Sequence, residues 1–77
     1  MSEQPTIAEF VDEFVRDARA LLDHAEEAAA HLAAGDPRAA CSAVAISHYK
    51  IGQVGEDRRN LLERFALEGI QPGFDDA

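Results

Sequence analysis

From Ile7 to Leu32 the apolar residues recur at alternating intervals of four and three, through Ile7, Val11, Phe14, Ala18, Leu21, Ala25, Ala28 and Leu32, without a miss. That spacing is the heptad pattern of one helix lying along another, so the stretch is read as helix and needs a helical neighbour. Phe10, Val15, Leu22 and Ala29 widen the stripe until it is broad enough to face two neighbours rather than one.

The ends of this helix are written in its flanks. Thr6 followed three residues later by Glu9 is a capping box, in which the hydroxyl accepts from a first-turn amide and the carboxylate reaches back to the cap amide. At the other end Ala34 meets Gly35, which closes a helix in the left-handed conformation, and Asp36-Pro37 then supplies an N-cap and a first-turn proline. A connection this short makes the next helix an antiparallel neighbour. The expected fold is therefore all-α: an antiparallel helical hairpin over residues 7–69, with a lead-in at 1–6 and an acidic tail at 70–77. Because one internal contact leaves apolar stripe uncovered, two such hairpins are expected to pair into a four-helix bundle.

Helix 2 carries its stripe through Ala40, Val44, Ser47, Ile51, Val54, Leu61 and Phe65, flanked by Cys41, His48 and Leu62, with Ser47 and Arg58 as polar interruptions. Ile46 and Tyr49 point away from it and are candidates to meet a partner, as is Phe74 in the tail. Gly52 and Gly55 each cost about 1 kcal/mol relative to alanine inside a helix. Either the helix breaks near Gly52-Gly55 and a third begins at about Glu56, or it runs on and another backbone approaches closely. The stripe keeps its phase from Ile51 through Val54 to Leu61, which favours continuity. Gly69 ends the helix.

With 77 residues the chain is a single domain, of a size that gains from self-association. Fifteen acidic against seven basic residues give a net charge of -8, which disfavours phosphate backbones and anionic membrane surfaces. No apolar run approaches the ~20 residues that span a bilayer. One cysteine and no secretory leader point to a cytoplasmic protein.

Candidate ligands for a metal are His24, Glu27 and His31, which share a face of helix 1, joined by His48. The turn at residues 35 to 37 sets His24 level with His48 and His31 level with Cys41, a donor set suited to zinc or another divalent ion. Against this, the Glu-x-x-His pair of di-iron bundles is missing, since Ala28 stands three residues before His31. Helical histidines beside a seam also serve as amphipathic filler, so no cofactor is predicted and zinc stands as the alternative.

Cys41, among Ala39, Ala40 and Ala43, reads as a small buried hydrophobe. No nucleophile elbow, phosphate loop or nucleotide fingerprint occurs, so no enzyme is expected. The expected function is a helical interaction or regulatory module, acting as a homodimer or as a subunit of a heteromeric complex. Its candidate interface residues are Ile7, Phe10, Val11, Phe14, Leu21, Leu22 and Leu32 on helix 1. Helix 2 contributes Val44, Ile46, Tyr49, Ile51, Val54, Leu61, Leu62 and Phe65.

Overall fold

A computed structural model describes residues 5–73; Phe74 and the rest of the tail lie outside them. The chain forms α1 (Ile7–Ala33), α2 (Pro37–Ile46) and α3 (His48–Leu67), with α2 and α3 making one bent second arm antiparallel to α1. Both parts of that arm pack against α1.

The capping box is present as expected. Thr6 Oγ1 accepts from the Glu9 amide at 3.1 Å, and Glu9 Oε1 accepts from the Thr6 amide at 2.8 Å. Gly35, at φ +81, closes α1, with the Asp36 amide donating to the His31 carbonyl at 2.9 Å and the Gly35 amide to Leu32 at 3.0 Å. Those two bonds satisfy carbonyls that a bare helix end would leave open. Asp36 Oδ1 then accepts from the Ala39 amide at 3.1 Å, so one three-residue turn stops one helix and starts the next.

The face that α1 turns to the second arm is rotated from the one hydropathy selects. Inward stand Ile7, Phe10, Phe14, Asp17, Leu21, His24 and Ala28, all half-buried or buried, whereas Val11, Ala18, Ala25 and Leu32 are exposed. The second arm answers with Ala40, Ala43, Ser47, Lys50, Val54, Asp57, Leu61 and Arg64, again at alternating threes and fours, while Val44 and Ile51 are exposed. In this rotation Asp17 on one arm meets Lys50 on the other at 3.4 Å and lies beside Asp57, so the buried carboxylate has the cation that its burial calls for.

The bend in the second arm falls at Ser47, not at Gly52 or Gly55, which lie in unbroken helix. Ser47 is 8% exposed, and both its amide, at 3.2 Å, and its hydroxyl, at 2.5 Å, donate to the Val44 carbonyl. A hydroxyl that bonds back to its own helix in this way bends it. The glycines are not sites of close backbone approach either, because a Cβ added at Gly52 or Gly55 would meet no atom within 4 Å.

The resulting structure is thin. It measures 15 Å across its shortest axis, one helix layer, and its radius of gyration of 16.8 Å exceeds the ~11–12 Å of a compact chain this long. Among the described residues the buried apolar side chains are Ala40, Ala43 and Leu61, and none is completely enclosed.

Candidate functional site

The polar centre of the seam lies at Asp17. Its Oδ1 accepts from Lys50 Nζ at 3.4 Å, and the residue is 7% exposed. The other oxygen, Oδ2, and Asp57 Oδ2 are both buried without a donor from any other group. A carboxylate only accepts, so the arrangement is satisfied when the two share one proton. Burial, and then the hydrogen bond and charge of Asp17, push Asp57 up to about 6, with Glu13 and Glu56 adding repulsion. The hydrogen bond from Asp57, helped by Lys50 and Arg16, holds Asp17 below the usual carboxylate value.

The two shifts act on stability with opposite signs. Asp57, raised, contributes stability that is complete below about pH 3.8 and is lost as pH climbs toward about 6. Asp17, lowered, contributes above about pH 3.8 and loses its share as the solution is acidified further. The pair therefore favours the fold most near pH 4. Asp57→Asn keeps a donor toward Asp17 and removes the titration. It is expected to flatten the fall in melting temperature between pH 4 and 6 and to raise stability at pH 7 by about 1 kcal/mol, several degrees for a chain this size. Parallel melting curves of the two proteins across that range would show that no proton is shared here.

The histidines are not brought together. Asp17 reaches both Lys50 and Asp57, which sets His24 nearly level with Ser47 and His48, as the turn predicts. Height agrees but direction does not. His24 faces the seam, with Nδ1 4.0 Å from Glu27 Oε1, while His48 is exposed, its Nδ1 3.0 Å from the Ala45 carbonyl and its ring 4.0 Å from that of Tyr49. His31 is exposed in the last turn of α1. Among the described residues no group of three His, Cys, Asp or Glu side chains gathers around a common point. Cys41, expected to be buried, is exposed.

The remaining candidates belong to a surface. Phe14 lines a groove with Arg58, Leu61, Leu62, Phe65 and Pro72, whereas Phe10 lines one with Asn60, Glu63, Arg64 and Leu67. Phe14 and Phe10 thus mark the two sides of the hairpin. On the Phe14 side α1 exposes Val11, Val15, Leu22 and Leu32, at 37, 43, 54 and 62% of their full area, and the second arm exposes Val44, Ile51 and Leu62. No family model, curated protein or solved structure matches the chain.

The opposite side carries Glu13, Glu27, Gln53 and Asn60, with Ile46, Tyr49 and Leu67 as its exposed large apolar residues among those described. Tyr49 looks outward, 70% exposed, and Ile70 lies beyond α3. The interface residues named from sequence therefore divide into three sets. Ile7, Phe10, Phe14, Leu21, Val54, Leu61 and Phe65 are at least half-buried within the hairpin; Val11, Leu22, Leu32, Val44, Ile51 and Leu62 form the apolar side; Ile46 and Tyr49 belong to neither.

Proposed function

We propose that the protein is a non-catalytic protein–protein interaction module, a helical hairpin that completes its core by laying its Phe14 side on another helical chain. The observation that carries this reading is the imbalance between inside and outside. Among the described residues the buried apolar ones apart from Leu61 are alanines, while seven of the larger aliphatic side chains stand exposed together on one side. Single exposed apolar residues are ordinary, but a contiguous apolar side on a helix layer is the surface that association covers.

Among the described residues no helix is long and apolar enough to cross a membrane. The lone exposed thiol fits a reducing compartment such as the cytoplasm, and the charge of -8 suits a protein partner better than nucleic acid.

The test is light scattering after size exclusion, once with EDTA and once with equimolar Zn²⁺. A mass above the 8.4 kDa of one chain, unchanged by either additive, is expected. A fully helical 8.4 kDa species that melts cooperatively in both runs would sink the reading, and assembly only with Zn²⁺ would transfer the role to His24, Glu27, His31 and His48.

A further inference from the structure

The exposed side of α1 has an order of its own. Ala8, Val11, Val15, Ala18, Leu22, Ala25, Ala29 and Leu32 are separated by alternating threes and fours, and every one of them is exposed. They form a second heptad seam, rotated by about 100° from the one that meets the second arm.

The residue sizes along this seam are complementary to their own reverse. Turning a second copy end for end about the level of Ala20 sets Ala18 against Leu22, Val15 against Ala25, Val11 against Ala29 and Ala8 against Leu32. Each contact then joins one large and one small side chain, as an evenly filled core requires. A parallel copy in register would instead stack Leu22 on Leu22 and Ala18 on Ala18, alternating wide layers with narrow ones that leave holes.

Resting on the interaction-module reading above, we propose that the chain covering this side is a second copy, docked antiparallel along α1 on a two-fold axis at the level of Ala20. Such a contact is isologous and closed. The seam from Ala8 to Leu32 is about 36 Å long. The second arm lies beside it, and its exposed Val44, Ile51 and Leu62 face the same way, so the docking layer is two helices wide. At about 10 Å per helix this gives on the order of 700 Å² per copy and about 1,400 Å² in all, within the range of specific stable interfaces. The polar groups on that side are His48, Cys41 and Arg58, and arginine covers apolar surface with its stem while its head stays wet. At the outer edge of the α1 pair, Asp12 falls opposite the second copy's Glu26, and Arg19 opposite its own counterpart. Those like charges make the dimer tighten as salt is added.

The test uses the full chain in a Cys41→Ala background, which removes the natural thiol. Spin labels at Ala33→Cys, an exposed position beside the seam, should lie about 39 Å apart along the helix axis if the copies are antiparallel about Ala20, and within about 10 Å of each other axis to axis if parallel. Leu22→Asp should weaken dimerisation by 100-fold or more, to an order of magnitude set by burying unpaired charge. Ala18→Leu and Leu22→Ala should each weaken it, and the two together, which exchange large for small within one contact, should restore it. Failure of the exchange to restore, indifference to Leu22→Asp, or a short label distance would each overturn this docking while leaving a self-associating module in place. A chain that is monomeric at every concentration overturns the second copy as occupant, and if it is also fully folded, the interaction reading falls with it.

Discussion

Leu61→Ala is expected to destabilise the protein by about 2–4 kcal/mol, the cost of truncating a buried leucine and leaving a cavity that neighbours refill only in part. A chain of this length has a total stability of about 4–11 kcal/mol by the usual scaling, and a thin hairpin belongs at the low end, so the variant should be largely unfolded at modest urea. The size of the effect follows from where the core is. Leu61 is 6% exposed and, among the described residues, is the only large aliphatic side chain that is buried; Ala40 and Ala43 have nothing to lose. Around Leu61 lie Phe14, Leu62 and Phe65, so the hole would open between α1 and α3. Leu67→Ala makes the same chemical change at a side chain 80% exposed on the opposite side, and should cost less than about 0.5 kcal/mol. Urea titrations of both variants read the difference. Near-equal midpoints would mean that the hairpin has no core at Leu61.

Turn chemistry was the most legible part of the sequence because it is local. Thr6 and Glu9, Gly35, Asp36 and Pro37 each act within four residues, and each makes the bond its type predicts. The rotation of α1 was not legible from hydropathy, since three adjacent columns of the helix are apolar or nearly so. Counting apolar residues prefers the column of Val11, Ala18, Ala25 and Leu32 to that of Phe10, Asp17 and His24, yet the second is the one that faces inward. The missing information was in the other arm. Lys50 and Asp57, about two turns apart on α3, bracket the height of Asp17 on α1, and polar groups that meet across the turn mark the inner face here better than the tally of aliphatics does. For the same reason the apolar side of α1, read from sequence as width in a single stripe, resolves into two seams with separate neighbours.

The bend shows a second limit. Gly52 and Gly55 have the lower helix propensity, but propensity is a weak local preference, and nothing at either glycine competes for a helical hydrogen bond. Ser47 does compete, and its hydroxyl takes the Val44 carbonyl.

Gly52→Ala and Gly55→Ala are therefore expected to stabilise the protein, by about 1 kcal/mol each, through the lower chain entropy of the unfolded state and better helix propensity. Each should raise the melting temperature by about 4–8 °C, because α3 is regular helix at both positions and an added Cβ meets no atom within 4 Å. The two differ in where they point. Gly52 shares its column with Ala45 and Arg59, away from the apolar side, so its gain should be the same at all protein concentrations. Gly55 shares its column with His48 and Leu62 on the docking side. There the gain should appear in full in dilute solution and shrink as copies associate, since a methyl group then enters space that a second chain occupies. Melting curves of both variants over a wide concentration range separate the contributions. A loss of stability from Gly52→Ala would show that α3 is not continuous there. Gains at Gly55 that match those at Gly52 at every concentration would show that no chain comes to rest on that side of α3.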